Sequence, residues 1–243
     1  MKKTFTVIIT MVILILLVSV LSGCNRVGSS MNGSGKIIDQ EIKIADFDSL
    51  HIEGPFTLEI TQSDTFKTVI SIDDNLIGRV LVSREHNTLT LNIEAPATFF
   101  PTQLKVNIAI PEINSITLAQ GAQAKLSGFD YIDNLYLFLS DESNFEGTLD
   151  TGLTKLSSDS SSQARLIGTA SSLELDGRKS SKLYLEVFEV KNAHVRLREA
   201  SEATLNVNGN LDVNLSEESK VYYLGNPIFS NTSISGGSTM IHK

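Results

Sequence analysis

The side chains that could do chemistry are scattered through the sequence and form no catalytic or metal-binding pattern. The four histidines, at positions 51, 86, 194 and 242, show neither H-x-x-x-H nor H-x-H spacing, so the sequence predicts no metal site. Carboxylates are adjacent at Asp73-Asp74, Asp141-Glu142 and Glu217-Glu218. Neighbouring residues of a strand point to opposite faces, so these pairs do not make a two-carboxylate glycosidase site, although carboxylates from different strands could. The sequence therefore predicts no catalytic residues and no cofactor.

The single cysteine, Cys24, directly follows an apolar N-terminal run over residues 7–21, which two lysines precede. The run leads into Leu21, Ser22, Gly23 and Cys24, and small residues before a cleavage point suit a signal peptidase. This tetrapeptide resembles a bacterial lipobox, which implies cleavage before Cys24, a diacylglycerol on its thiol and an acyl chain such as palmitate on its amino group. The alternative is an uncleaved signal anchor, although the run is shorter than the about 20 apolar residues of a usual span.

These features divide the chain into three segments. Residues 1–23 are the predicted lipoprotein signal peptide, 24–40 hold the lipidated cysteine and a flexible Gly/Ser/Asn-rich tether, and 41–243 are the predicted folded domain. The expected location is the cell envelope on the exported side, with the lipid bilayer as a partner through acylated Cys24. The net charge of −8 argues against nucleic acid as a partner.

Residues 41–112 alternate apolar and polar side chains with a period of two, which is typical of half-buried strands. The clearest runs are Leu89–Ile93 and Leu104–Ile110. Only Asn75–Val80 could hold a helical turn, so the doubly wound nucleotide-binding folds are excluded.

From residue 113 onward a short alternating unit repeats about every 19 residues. Its apolar anchors are Leu126, Phe145, Leu166, Leu183, Leu205, Val221 and Met240. Alanine or serine stands two residues before each anchor, at Ala124, Ser143, Ala164, Ser181, Ala203, Ser219 and Ser238. Such a period without helical patterning is typical of a β-solenoid. The predicted fold class is all-β: a parallel β-helix-like solenoid of about seven rungs (coils) in 113–243, preceded by the strand-rich part 41–112.

The residue just before each anchor is predicted to point outward, and four of these are cations that form a candidate surface ladder: Lys125, Arg165, Lys182 and Lys220. The alternative is an ordinary solvated face. Spacing between rungs varies on one side only, which predicts loops at 127–134, 146–155, 167–172, 184–194, 206–210 and 222–229. Recognition is expected on these loops or on the ladder, with Tyr222 and Tyr223 as candidate binding aromatics or, alternatively, core residues.

The sequence from Phe47-x-x-Leu50-x-Ile52-x-Gly54, through Leu89–Ile93 and Leu104–Pro111, to the small-residue rungs resembles the GIN domain. This is the head domain of putative auto-transporter adhesins, a domain-of-unknown-function family. The resemblance covers about residues 44–243. It implies a parallel β-helix-like fold and an adhesive or structural role, and it brings no catalytic residues and no cofactor.

Together these observations predict a lipid-anchored exported protein with an adhesin or envelope-interaction role, not an enzyme. The candidate partners are a glycan, the cell wall or a protein surface. Two alternatives stay open: a carbohydrate-active enzyme on a β-helix scaffold, and an envelope sensor or signalling accessory. A groove in which acids and bases from neighbouring rungs converge would favour the enzyme.

Overall fold

The computed structural model describes residues 30–94 and 98–243. The predicted signal peptide, Cys24 and the lipobox lie outside these residues. Within them the chain is built of strands, and a 3-10 turn at Ile77–Arg79 falls where a helical turn was predicted. Strands β1 (Ser30–Asn32) and β8 (Thr98–Phe100) form a two-stranded sheet.

The other strands belong to one continuous sheet that coils into a solenoid. Its N-terminal members are β2 (Ile37–Ile42), β3 (Ser49–Glu53), β4 (Thr57–Gln62), β5 (Lys67–Asp73), β6 (Val80–Glu85), β7 (Thr88–Ile93) and β9 (Leu104–Ile110). The first repeats use β10 (Ser115–Ala119), β11 (Gln123–Ser127), β12 (Ile132–Leu139), β13 (Asn144–Ser158) and β14 (Gln163–Gly177). The last repeats use β15 (Lys182–Leu197), β16 (Glu202–Val207), β17 (Asn210–Leu215), β18 (Lys220–Leu224), β19 (Ile228–Ile234) and β20 (Thr239–His242).

The predicted all-β solenoid of about seven rungs is confirmed. From β10 onward each strand pairs in parallel with the strand one rung later, for example Ile116 with Leu137 and Leu137 with Leu156. Each rung places one stretch of strand on each of two opposing walls. The inward side chains of both walls are buried and mostly apolar, and they form the core between the walls.

The N-terminal part extends the solenoid rather than merely preceding it. Strands β3 and β4 pair in parallel with β10 and β11, and β7 and β9 pair in parallel with the other edges of β3 and β4. Beyond this layer β6 runs antiparallel to β7, β5 antiparallel to β9, and β2 antiparallel to β5. The antiparallel strands cover one end of the parallel stack, where unpaired edges would otherwise template association with other chains.

Each rung turns sharply at a two-residue corner in which both residues have positive φ. In chain order the corners are Gln120-Gly121, Asp141-Glu142, Ser160-Ser161, Lys179-Ser180, Glu199-Ala200, Glu217-Glu218 and Gly236-Gly237. Positive φ at both central residues is the arrangement of a type I′ turn, and it is unfavourable for residues other than glycine. The corners stack, so that Glu142 N–H donates to Ser160 C=O at 3.0 Å and Ser161 N–H to Lys179 C=O at 2.9 Å. This backbone ladder offsets the conformational cost.

The small column predicted from the repeat is wrong in register, because the structure divides it into two columns. One column follows the corners and contains Ala122, Ser143, Ser162, Ser181, Ser201, Ser219 and Ser238. The other contains Leu58, Ala124, Phe145, Ala164, Leu183, Ala203, Val221 and Met240. The predicted anchors Leu126, Leu166 and Leu205 lie two residues further along, in a third inward column.

The serine column has a chemical reason beyond small volume. The hydroxyls of Ser181 and Ser219 donate across the corner to the carbonyls of Arg178, at 2.7 Å, and Ser216, at 2.8 Å. Ser162 and Ser201 are equally buried, but their hydroxyls have no hydrogen-bond partner among the described residues. The column therefore alternates between serines that close the corner and serines that only fill it.

This difference predicts opposite results for two chemically identical substitutions. Ser181→Ala removes a made hydrogen bond and is expected to lower the free energy of unfolding by about 1 kcal/mol. Ser162→Ala removes an unsatisfied hydroxyl and is expected to leave stability unchanged or slightly higher. Urea unfolding midpoints of the two variants check this, and an equal loss in both would contradict the assignment.

The predicted loop side is also corrected. Segments 146–155, 167–172 and 184–194 are not loops, because β13, β14 and β15 run through them without a break. The differences in rung length are absorbed by β-bulges between Arg165 and Ile167 and between Leu185 and Glu189. Connecting residues do remain inside the other three predicted segments, at 128–131, 208–209 and 225–227, and a further loop joins β9 to β10.

Candidate binding surface

The predicted cation ladder lies on the outer face of one wall, but in two columns rather than one. Lys125 and Arg165 share a column, in which Glu146 stands between them, while Lys182 and Lys220 share the neighbouring column. All four are exposed. Arg165 pairs with Glu186, Nη1 to Oε1 at 3.2 Å, and lies over a tyrosine ring. Charges of both signs are interleaved here, so the wall presents no continuous cationic stripe.

The two candidate tyrosines point to opposite sides of their strand. Tyr222 faces outward, with Lys243 Nζ 4.2 Å from its ring centroid. Tyr223 lies in an inward column, where its ring stacks on His242 at 4.7 Å and meets Phe229 edge-on at 5.5 Å. The structure therefore does not bring the two phenol groups together into one site.

The opposite wall carries a network of ion pairs that sequence reasoning missed. Lys155 Nζ lies 2.9 Å from Glu174 Oε2, and this contact raises the pKa of Lys155. Asp176 is approached by Arg196 at 3.5 Å and by Arg198 at 3.2 Å. These partners stand about one rung apart in sequence, so opposite charges at the repeat spacing were the available signal. The side chains neutralise one another, and surface pairs of this kind contribute little stability.

A cavity of about 300 Å³ opens where the N-terminal part meets the first repeats. We call it the junction cavity; its lining residues are Gln62, Pro111, Glu112, Ile113, Asn114, Phe129, Tyr131, Ile132 and Asp133. Ile113, Phe129 and Ile132 are buried and form its apolar part, whereas Tyr131 is 56 % exposed. The cavity falls between the β9–β10 and β11–β12 loops, and the second of these loops lies in the predicted recognition segment 127–134.

The two loops beside the junction cavity are tied together by Gln62 at the end of β4. Its Nε2 donates to the carbonyl of Pro111 at 3.2 Å, and its Oε1 accepts from the backbone N–H of Asp130 at 3.1 Å. The backbone of Asn114 is held on both sides, because its N–H donates to Asp48 at 2.7 Å and its carbonyl accepts from Tyr136 at 2.9 Å. The cavity is thus preformed on a rigid frame.

Three polar side chains that line the junction cavity have no partner among the described residues. Across the described residues, Glu112, Asn114 and Asp133 make no side-chain hydrogen bond or ion pair. Gly152, on the next rung, lies against residues 131–133. A Cβ at Gly152 would come 2.6 Å from the Asp133 carbonyl oxygen and 3.1 Å from Tyr131 Oη. Absence of a side chain at Gly152 therefore lets the Tyr131 segment pack close to the solenoid.

The strongly held carboxylates of the body have structural roles. Burial would raise the pKa of Asp73, but hydrogen bonds from Gly35, Thr102 and Gln103 outweigh it and hold the pKa below its usual value. Burial would likewise raise the pKa of Asp159, but contacts with Ser160, Lys179 and Arg178 lower it.

Within residues 30–94 and 98–243 no three His, Cys, Asp or Glu side chains cluster as metal ligands would. The same part of the chain has no helix that could span a bilayer.

Solved structures share this architecture at low sequence identity. A protein from Bacteroides fragilis described as a "putative adhesin" is 19% identical, with a TM-score of 0.79 over 88% of this chain and 99% of its own. A "putative lipid binding protein" from Parabacteroides distasonis is 19% identical, with a TM-score of 0.71 over 88% and 100%. A "putative adhesin" from Parabacteroides merdae is 16% identical, with a TM-score of 0.69 over 88% and 99%. These likenesses establish the fold.

No curated protein matches the chain. A family model does match, over residues 46–227, and it carries the description "Putative auto-transporter adhesin, head GIN domain". This range includes strands β3 to β18, six of the seven corners and the junction cavity. The resemblance seen in the sequence is thereby confirmed, and the chain belongs to the GIN-domain family.

Proposed function

We propose that the protein is a lipid-anchored, non-catalytic adhesin of the cell envelope, and that it binds its partner at the junction cavity. The observation that carries the proposal is the junction cavity itself, where the exposed ring of Tyr131 lies beside polar side chains that have no partner among the described residues. Loops on a rigid scaffold are the usual position for recognition. Membership of an adhesin family supports the same role.

The non-catalytic part of the proposal is supported by what the charged groups do. Asp73 and Asp159 accept hydrogen bonds that hold the fold. Glu174 and Asp176 stand on one face of β14 but are neutralised by lysine and arginine. A glycosidase needs one carboxyl group that stays protonated near neutral pH, and the lowered pKa values of Asp73 and Asp159 favour the ionised form instead.

The lipid anchor is supported by the sequence alone. Two acyl chains or more give stable membrane attachment, and a lipobox cysteine would carry them. The Gly/Ser/Asn-rich tether would separate the body from the bilayer. An anchor and an exposed cavity together give an exported protein that can bridge its own membrane to an outside surface.

The test expresses the full chain in a bacterial host with Cys24→Ala and, as a control in the tether, Ser29→Ala. The parent and Ser29→Ala should incorporate a palmitate label and partition into the detergent phase, whereas Cys24→Ala should do neither. Cells bearing the parent should attach to chitin-, mannan- or mucin-coated plates better than cells without the protein. A labelled Cys24→Ala chain would refute the anchor, and equal attachment with and without the protein would refute the adhesin role.

A further inference from the structure

We infer that the junction cavity binds one ring of a saccharide that carries no negative charge, and that Tyr131 is the stacking platform for this ring. The inference rests on the proposed function and specifies its ligand. Three properties of the cavity lead to it: an exposed aromatic wall above an apolar floor, free hydrogen-bonding groups, and negative charge without a compensating cation.

The aromatic wall suits the flat, apolar face of a sugar ring. Tyr131 is 56 % exposed, although burial of a tyrosine ring would ordinarily be favourable. Its neighbours Phe129 and Ile132 are buried and already fill the core at this point. The exposed ring of Tyr131 is therefore not needed to complete the core, and a ligand would cover it.

The free polar groups suit the hydroxyls of the same ring. The carboxylates of Glu112 and Asp133 accept hydrogen bonds, and the amide of Asn114 can both donate and accept. The backbone that carries them is held in place, because Gln62 ties Pro111 to Asp130 and Asp133 lies on strand β12, and this lowers the ordering cost of binding. The about 300 Å³ of space is at the lower end of small-molecule sites, which matches a single ring rather than a larger ligand.

The charge of the cavity excludes acidic sugars. Its lining includes Glu112 and Asp133 but no lysine, arginine or histidine. A uronic or sialic acid would bring a third carboxylate to this site, where like charges repel. Neutral hexoses, N-acetylated sugars and amino sugars have no such penalty, and the open side of the cavity leaves room for a chain to continue.

The experiment titrates the detergent-solubilised full chain with neutral hexasaccharides of glucose, mannose and N-acetylglucosamine, and with hexagalacturonate, by calorimetry. At least one neutral hexasaccharide should bind, and Tyr131→Ala should weaken it by about 10-fold or more. Tyr131→Phe keeps the ring and should bind nearly as the parent does. Phe138→Ala removes a similarly exposed aromatic (46 % exposed) from one wall and should have no effect.

The inference is overturned if no neutral hexasaccharide binds, if Tyr131→Ala binds like the parent, or if hexagalacturonate binds as tightly as the neutral ligands. Attachment of cells separates this outcome from failure of the proposed function. If cells that carry Tyr131→Ala attach as well as cells that carry the parent, the adhesin role stands and the saccharide site is refuted. The opposite result is also distinguishable. If the purified chain binds a hexasaccharide through Tyr131 but cells that carry the protein do not attach, the saccharide site stands and the adhesin role is refuted.

Discussion

Replacing Phe145 with alanine is expected to lower the free energy of unfolding by about 3–5 kcal/mol, the usual cost of deleting a buried phenylalanine ring. Phe145 is fully buried, and its neighbours on the adjacent rungs of its column are Ala124 and Ala164. Those small side chains leave the room that the ring occupies. They cannot move to refill it, because their backbones are fixed in the parallel ladders on both sides.

Chemical denaturation measures this loss, and Ala164→Leu provides the converse variant. Leucine at 164 overfills the column against Phe145 and should cost about 1–3 kcal/mol. The double variant Phe145→Ala with Ala164→Leu should lose less than the sum, since the new leucine enters the space the ring left. Arg165→Ala, one residue away on the outer face, should cost less than about 1 kcal/mol. Simple additivity of the two core substitutions would show that the residues do not share a column.

The same column shows why sequence predicted the fold class but not the register. Inward positions recur every second residue, so both Ala124 and Leu126 point into the core. Large and small residues alternate from rung to rung, as Ala164 follows Phe145. An alignment that matches large with large therefore slips by two residues in alternate rungs, and the slip preserves the inside–outside pattern that carries the prediction.

The pairing of the N-terminal strands could not be predicted from the sequence, for a different reason. Strand β3 pairs with β7 on one side and β10 on the other, so Leu50 lies between Leu89 and Ile116. The chain departs into antiparallel β5 and β6 between these layers. The sequence separations from Leu50 to Leu89 and from Leu50 to Ile116 differ from the repeat period of about 19 residues. Alternation alone specifies which side chains are buried, but it does not specify which strands pair.

The site was predictable only in part. Segment 127–134 was expected to be a loop suited to recognition, and it supplies Tyr131 and Asp133 to the junction cavity. The other side of the cavity comes from Glu112 and Asn114, which follow a strand of the N-terminal part and show no sequence motif. Their meeting depends on β9 and β11 flanking β4, a tertiary arrangement. The cation ladder divided into two columns because its prediction depended on the slipped register. Tyr222 and Tyr223 separate for another reason: they are neighbours on β18, and neighbouring residues of a strand point to opposite faces.

The second large effect is expected at Asp73, which secures the start of the folded body. Its Oδ1 accepts from the backbone N–H of Gly35 at 2.8 Å, and its Oδ2 from that of Thr102 at 2.8 Å. Gly33 packs directly against the carboxylate, where a Cβ would overlap it. Asp73→Asn replaces one acceptor oxygen by an NH₂ group that must face an N–H donor. A hydrogen bond to a charged group contributes about 1.5–3 kcal/mol, so a loss of about 2–3 kcal/mol is expected at neutral pH.

The pH dependence gives this prediction a second, independent readout. Because the pKa of Asp73 is lower in the folded state than in the unfolded chain, its contribution is present above the unfolded value of about 3.9 and is lost as the pH falls through the folded value. The parent should therefore lose stability more steeply than Asp73→Asn as the pH is lowered from about 4. Asp64→Asn is the control and should lose stability in parallel with the parent, since Asp64 is exposed and its carboxylate has no hydrogen bond or ion pair among the described residues. If Asp73→Asn and the parent lose stability in parallel through this acid range, the ionised carboxylate of Asp73 does not stabilise the fold through these hydrogen bonds.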